Sequence, residues 1–302
     1  MGAREPVAWP ALPYEAWKDT YATLHMWMQV VGKVALALAP PINHSWGVAF
    51  HVTPRGLSTH LLPHGGRSFA IEFDFVDHHL RVKCSDGGAH ALALTSQPVA
   101  TFYRSVMDLL NTMGLGVRIW PVPVEIPDPI PFAEDTIHHT YDPEAANRCW
   151  QILTRIAPIF AERRAQFVGK TSPVHFFWGS FDLAVTRFSG RLAPAREGPH
   201  FMRDAYSHEV ISHGFWPGSG ILEPAFYAYA VPEPAGLKDA PVQPSSAYYH
   251  REMGEFILPY EAVRTASDPA AEIQQFIDST YQRAATLGGW DRAALERSAL
   301  AV

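Results

Sequence analysis

The residues best suited to chemistry lie in apolar segments of the second half of the chain. His175 lies in the run Pro-Val-His-Phe-Phe-Trp, Asp182 follows seven positions later, and His208 lies in a further apolar segment. Two histidines and one carboxylate can form a metal site with open coordination positions. His175, Asp182 and His208 are therefore candidate ligands of a divalent metal, the cofactor that these residue types suggest. The alternative is that each histidine is hydrogen bonded within the core and binds nothing.

The same region could support acid–base chemistry without a metal. His175 and His208 would transfer protons, Glu209 would supply a carboxylate, and Lys170 or Arg187 would anchor an anionic substrate. On a strand, His208 and Glu209 face opposite sides, so only one of them can enter a given pocket. The alternative for Glu209 is an ion pair with a buried arginine such as Arg187.

No local motif names a reaction. His208 and His213 are five positions apart, whereas the helical zinc-protease motif requires four, and side chains at that spacing diverge by about 140° on a helix. The two cysteines, Cys84 and Cys149, are too far apart in sequence for a metal-binding pair. The chemistry must therefore come from residues that folding brings together.

The triplet Val-Gly-Lys occurs twice, at residues 31–33 and 168–170. Each copy is followed by a Pro and then a Trp-Gly pair, and the number of residues between the Pro and the Trp is the same in both copies. This order predicts an internal duplication. A phosphate-binding loop is excluded, because neither copy has the required glycine five residues earlier. We predict instead that Gly32 and Gly169 end helices in the left-handed conformation.

The elements that must position these residues follow from hydrophobic periodicity and capping signals. Helices are expected at about residues 13–31, 98–113, 142–167 and from 268 onward, with alternating strands between them. Because strands and helices are segregated, the fold class is α+β, with two pseudo-repeated halves of helix, antiparallel strands and helix around a common core. The expected boundaries are an N-terminal half at 1–120, a proline-rich linker at 121–141 and a C-terminal half at 142–302.

Composition limits the class of partner. The 302 residues are 47% hydrophobic and 18% charged, with a net charge of −6, which argues for a globular chain and against nucleic acid. No apolar run reaches the length of a membrane span, and residues 1–6 lack the features of a signal peptide. We expect a cytoplasmic protein with a small-molecule ligand, no membrane partner and an oligomeric state that the sequence does not determine.

Four segments together resemble a known family: residues 172–182, 206–210, 214–218 and 9–14. They are similar to an uncharacterised bacterial family, domain of unknown function 5996, and the resemblance extends over almost the whole chain. It implies no reaction, cofactor or catalytic residue.

Two functions are therefore expected. The first is an enzyme that acts on a small organic molecule with a site of histidines and carboxylates. The alternative is a non-catalytic protein that binds a small ligand in an aromatic cleft. The cleft would be lined by residues 215–218 with Phe226, Tyr227 and Tyr229, although such a cluster is more often core.

Overall fold

The structure, a computed structural model, describes residues 8–195, 197–198, 200–218 and 222–297. Residues 1–6, where we predict no signal peptide, lie outside this part of the chain. Helices and two antiparallel sheets are segregated along the sequence, so the predicted α+β class is confirmed. None of the helices in the described residues combines the length and the apolar character that a membrane span requires.

The longer helices match the prediction in number and place. The helices of the described residues are α1 (Tyr14–Leu38), α2 (Val99–Thr112), α3 (Pro143–Ala165), α4 (His200–Ala205), α5 (Tyr260–Arg264), α6 (Pro269–Leu287) and α7 (Arg292–Leu295). Helix α6 begins where predicted, because the Asp268 side chain accepts a hydrogen bond from the Ala271 backbone N–H at 3.0 Å. Helices α4, α5 and α7 are too short to give a periodic signal.

The strands form two sheets. The first contains β1 (His51–Val52), β2 (Gly56–Ser58), β3 (Leu62–His64), β4 (Arg67–Asp74), β5 (His79–Cys84) and β6 (Ala89–Ala93), in the order β1-β2-β4-β5-β6 with β3 also paired to β4. The second contains β7 (His175–Phe177), β8 (Asp182–Leu192), β9 (His208–Trp216), β10 (Ala225–Val231), β11 (Tyr248–His250) and β12 (Glu255–Pro259), in the order β11-β12-β10-β9-β8-β7.

The chain divides into two compact units. The first unit comprises residues 1–14, 151–173 and 184–302, and the second comprises 15–150 and 174–183. The predicted linker at 121–141 lies within the second unit, where Phe132 is fully buried and the Asp135 carbonyl accepts a hydrogen bond from Ala100 N–H. The unit boundaries therefore do not fall at this segment.

Each unit has its own apolar core. In the second unit, Trp27 of α1 stacks on Phe102 of α2 at 4.6 Å between ring centroids, and Phe73 of β4 packs beside them. In the first unit, Ile273 and Phe276 of α6 are buried, as are the other apolar residues on that face of the helix. The buried face of α6 carries apolar residues at the three- and four-residue spacing that predicts a helix.

The capping role predicted for Gly32 and Gly169 is wrong. Neither glycine has a positive φ, and α1 continues through Gly32 to Leu38. Both glycines instead allow a close approach: a Cβ on Gly32 would lie 2.1 Å from the Trp178 ring, and one on Gly169 would lie 2.6 Å from Leu295. The predicted duplication is not confirmed, because the first Val-Gly-Lys triplet lies inside a helix and the second lies after the end of α3.

We expect Gly32→Ala to lower the free energy of unfolding by about 2 kcal/mol, since the new methyl group must displace the Trp178 ring from a packed core. The better helix propensity of alanine offsets part of that cost. Chemical denaturation measures the change. The exposed Leu36 of the same helix provides the control, because Leu36→Ala should change stability by less than about 0.5 kcal/mol. Equal stability of the two variants would contradict the close approach.

Candidate functional site

A cavity of about 480 Å³ lies in the first unit, where the end of α3, helix α6 and the segment around α7 meet. This volume lies within the range of small-molecule sites, about 300–1,000 Å³. Charged side chains dominate the wall, with arginines Arg187, Arg292 and Arg297 and carboxylates Glu162, Asp278 and Glu296. Of the residues that the sequence suggests for chemistry, Arg187 is the one in this wall.

Arg187 is a buried cation, with 5% of its surface exposed. Its Nη2 donates to the Arg163 carbonyl oxygen at 2.8 Å. Its guanidinium carbon lies 4.5 Å from the centroid of the Tyr281 ring, a favourable cation–π distance. Within the described residues, Nη1 is buried and has no hydrogen-bond partner. Strand β8 therefore places Arg187 in the cavity wall, and one nitrogen of its guanidinium group is buried without a hydrogen-bond partner among the described residues.

Leaving this nitrogen unpaired is costly. A buried donor without an acceptor costs about 1–3 kcal/mol, and more when it is charged. Burial accordingly lowers the pKa of the Arg187 guanidinium from its usual value, while Tyr281, Asp278 and Glu296 act in the opposite direction. Such an unpaired group needs an explanation, of which a bound ligand, ion or water molecule is one.

The remaining arginines near the cavity are already engaged. Arg292 donates from Nε to Glu296 Oε1 at 2.6 Å, and the Tyr281 hydroxyl donates to the same oxygen at 2.9 Å. The Arg297 Nε donates to the Ala165 carbonyl at 2.7 Å. Burial would raise the pKa of the Glu296 carboxyl, but its hydrogen bonds from Arg292 and Tyr281 lower it below the usual range.

Arg163 contacts three residues of the cavity wall. It donates to Asp278 Oδ2 at 3.0 Å and to Glu162 Oε1 at 3.1 Å, while its own carbonyl accepts from Arg187. Its side chain is largely buried, and its Nε lacks a partner among the described residues. Arg163 and Arg187 thus each carry one buried guanidinium nitrogen without a partner among the described residues.

The structure does not place Lys170 or Glu209 at this cavity. The Lys170 ammonium lies 4.7 Å from the centroid of the Phe188 ring, and the side chain is partly exposed. Glu209 pairs with Arg191 at 2.7 Å and accepts from Ser189 at 2.8 Å, so its arginine partner is not Arg187 as suggested. Glu209 lines a second, smaller cavity of about 200 Å³ with a largely apolar wall.

His175, Asp182 and His208 do not form a recognisable metal centre. Over the part of the chain that the structure describes, no group of three or more His, Cys, Asp or Glu side chains could hold a metal ion. His175 is buried and packs against Phe177 at 4.3 Å between ring centroids. His208 Nδ1 lies 3.1 Å from the Ser207 hydroxyl. The burial predicted for His175 is confirmed, and the described structure gives the predicted metal site no support.

The residues suggested for an aromatic cleft lie on the two strands β9 and β10 of the first unit, and several of them are buried in its core. Phe215 and Phe226 are buried with ring centroids 5.0 Å apart, and Trp216 packs on Tyr227 at 4.5 Å. Phe215 and Phe226 share one face of the sheet and are core residues. Trp216, Tyr227 and Tyr229 lie on the other face, where Trp216 and Tyr229 are partly exposed.

In the second unit, Asp182 is buried and accepts a hydrogen bond from the Ser180 hydroxyl at 2.5 Å. Near it, Glu125 has a positive φ of 60°, and its carboxyl end lies against Gly179, where a Cβ would be 2.3 Å from Oε1. Glu125 is exposed as a whole, but desolvation of its carboxyl end against Gly179, and then the charge of Asp182, raise the pKa of Glu125. His25 donates to the Gly179 carbonyl at 2.8 Å, and burial lowers its pKa to about 4.

The raised pKa of Glu125 predicts that the Glu125→Gln variant is more stable than the wild type at neutral pH. The folded state holds the proton more tightly than the unfolded state, so ionisation of Glu125 lowers stability as pH rises through the folded pKa. The difference should be small at acid pH and grow toward pH 7. Unfolding curves from pH 4 to 8 test it, with exposed Glu134→Gln as control. A pH-independent difference would contradict the assignment.

Sequence reasoning missed most of this cavity. Tyr281 lies on the buried face of α6, and Arg163 belongs to no motif in the sequence. Arg292 and Glu296 stand four positions apart, a spacing that favours an ion pair on a helix. This spacing is the sequence feature that could have pointed to this part of the cavity wall. Residue types alone could not show that α3, β8, α6 and the segment after α7 meet at one cavity.

Comparison with protein families adds a match over nearly the whole chain. A family model described as "Family of unknown function (DUF5996)" matches residues 9–297. No curated protein and no solved structure matches the chain.

Proposed function

The chain belongs to the DUF5996 family of unknown function, and we propose that this protein binds a small organic anion in the cavity lined by Arg187. The observation that carries this proposal is the buried guanidinium whose Nη1 has no partner among the described residues. An oxygen of an anionic ligand would accept from this nitrogen and remove the desolvation cost. Arginine is well suited to this task, because it stays charged even where burial lowers its pKa.

The neighbouring groups support a ligand with both a charged and an apolar part. Phe167 and the Tyr281 ring meet edge to face at 6.1 Å between centroids and provide an apolar wall beside Arg187. Gln166 and Gln282 add amide groups that can donate and accept. A few polar groups on a partly apolar wall are typical of small-molecule sites.

Binding is better supported than acid–base catalysis. Each carboxylate of the wall accepts a hydrogen bond from an arginine: Glu162 and Asp278 from Arg163, and Glu296 from Arg292. A carboxylate committed in this way is poorly placed to exchange a proton with a substrate. The enzyme with a His/carboxylate site, our first expectation from the sequence, therefore ranks second to a ligand-binding protein.

Calorimetric titration of benzoate and benzamide tests the proposal. The two probes share size and shape but differ in charge. We expect benzoate to bind at least about tenfold more tightly, since a hydrogen bond to a charged group contributes about 1.5–3 kcal/mol. The exposed Arg283 on α6 provides the control, because its Nε donates to the Pro241 carbonyl outside the cavity wall. Arg283→Gln should leave both affinities unchanged. Equal affinity for the two probes would overturn the proposal.

A further inference from the structure

We infer that the smaller cavity of the first unit binds a neutral alcohol, with the hydroxyl group at Glu209 and Trp290 and the carbon body against an apolar wall. The cavity measures about 200 Å³, and within the described chain it shares no lining residue with the cavity at Arg187. The inference therefore goes beyond the proposed function and does not depend on it. An apolar cavity of about 150 Å³ is large enough for benzene, so this one has room for a six-membered ring with one substituent.

Most of the wall of this cavity is apolar. It forms where strands β9 and β10 end beside the C-terminal end of α6. Two prolines of the loop after β10 contribute to it, together with Val210, Ile211, Ala230, Val231 and Ala284. Moving a hydrocarbon body from water to such a wall is favourable, and the wall itself does not fix the orientation of the ligand.

Glu209 supplies an acceptor at one end of the cavity. Its Oε2 takes the hydrogen bonds, from the Ser189 hydroxyl and from Arg191 Nε, each at 2.8 Å. Its Oε1 accepts none in the part of the chain that the structure describes, and it is not among the fully buried unpaired atoms. The side chain is 18% exposed. The carboxylate is thus held in place through one oxygen, and the other oxygen is left for a ligand.

Trp290 supplies a donor at the same end. Arg191 Nη2 donates to the Gly288 carbonyl at 2.6 Å, and a Cβ on Gly288 would lie 3.4 Å from Trp290 Nε1. This indole nitrogen has no hydrogen-bond partner among the described residues, and unlike two other indole nitrogens of the chain it is not fully buried. The contacts from Glu209 through Arg191 and Gly288 therefore bring the acceptor and the donor together.

A hydroxyl group matches this pair, because it donates one hydrogen bond and accepts others. It would donate to Glu209 Oε1 and accept from the Trp290 indole N–H. A carboxylate only accepts, and the charge of Glu209 would repel it. An ammonium group only donates, so it would leave the indole N–H unpaired and place a second cation near Arg191. An ether would leave Oε1 unpaired. A neutral alcohol is therefore the class of ligand that satisfies both groups.

Four ligands with one cyclohexane ring test this assignment: cyclohexanol, methoxycyclohexane, cyclohexylammonium and cyclohexanecarboxylate. In NMR titrations of the full chain at pH 7, we expect cyclohexanol to bind about tenfold more tightly than each of the other three, since only it forms both hydrogen bonds. Intermolecular NOEs from its ring protons to the methyl groups of Ala230 and Ala284 should locate it in this cavity.

Glu209→Gln tests the role of the carboxylate. If the glutamine oxygen keeps the bond to Arg191, its NH2 group replaces the acceptor that faces the ligand. The preference for cyclohexanol over methoxycyclohexane should then fall from about tenfold to about one. Glu261→Gln is the matched control, because Glu261 also pairs with an arginine, Arg264, but lies outside the cavity wall. The preference should be unchanged in that variant.

The comparison in the wild-type protein is decisive even if Glu209→Gln does not fold. Equal affinity for cyclohexanol and methoxycyclohexane would overturn the inference, as would tighter binding of the ammonium or the carboxylate. Bound cyclohexanol without NOEs to either alanine methyl group would overturn the location.

Discussion

Asp74→Asn is expected to lower the free energy of unfolding by about 3 kcal/mol, toward the lower end of the range for breaking a buried ion pair. The Asp74 side chain is fully buried, and its Oδ2 accepts from Arg55 and Arg81, each at 2.7 Å. Its Oδ1 accepts from the backbone N–H groups of Val76 and Asp77 at 3.0 Å. An asparagine amide keeps one acceptor oxygen, so its NH2 group would face one of these two pairs of donors. The two arginines are partly exposed, so solvent screens part of the loss.

The pH dependence of this variant has a defined sign. Burial alone would raise the pKa of Asp74, but the hydrogen bonds from Arg55, Asp77, Arg81 and Val76 together lower it well below its usual value. A carboxyl with a lowered folded pKa stabilises the fold above the unfolded pKa, about 3.9. That stabilisation is lost as pH falls further. The difference between wild type and Asp74→Asn should therefore be constant near neutrality and shrink below about pH 4.

Asp77 provides the matched control for Asp74. It pairs with the same two arginines, but half of its side chain is exposed. Asp77→Asn should cost less than about 1 kcal/mol, as expected for surface ion pairs. Urea unfolding of both variants separates the contribution of carboxylate burial to stability from the contribution of ion pairing. Equal losses for Asp74→Asn and Asp77→Asn would contradict the role assigned to the buried carboxylate.

Arg187→Met is expected to lower benzoate affinity by about ten- to a hundredfold while changing the free energy of unfolding by less than about 1 kcal/mol. Methionine keeps much of the apolar contact of the side chain and removes an unpaired buried donor, which offsets the loss of the bond to the Arg163 carbonyl. When a residue serves ligand binding, its substitution lowers affinity but leaves the stability of the fold nearly unchanged.

A purely structural Arg187 would behave differently. In that case Arg187→Met should destabilise the protein by about 3–5 kcal/mol, as when one partner of a buried charge pair is removed. Denaturant unfolding and benzoate titration on the same preparation decide between the two roles. A large loss of stability with unchanged affinity of the folded fraction would contradict the binding role.

The sequence predicts local features of this protein well. The start of α6 follows from Asp268 and Pro269, whose side chains favour a helix N-terminus, and the burial of His175 follows from its apolar neighbours. Both depend on residues close in sequence. Gly32 was misassigned because its role depends on the ring of Trp178, far along the chain.

The candidate site shows the same limit. The residue type of Arg187 suggested an anion anchor, and its place in the cavity wall agrees with that suggestion. Its neighbours Arg163 and Tyr281 come from two other elements, and no spacing in the sequence links them. The histidines attracted attention by type, but their hydrogen bonds and ring contacts are set by nearby residues such as Ser207 and Phe177.

The most direct test of anion binding at Arg187 is a crystal structure of the protein with 4-bromobenzoate, located by the anomalous scattering of bromine. We predict one bromine peak beside Phe167 in the cavity, with a carboxylate oxygen at about 2.7–2.9 Å from Arg187 Nη1, the usual distance for a charge-assisted hydrogen bond. The same experiment on Arg187→Met should show no peak there. A wild-type cavity without bromine at a saturating concentration, or a peak unaffected by the substitution, would contradict the account.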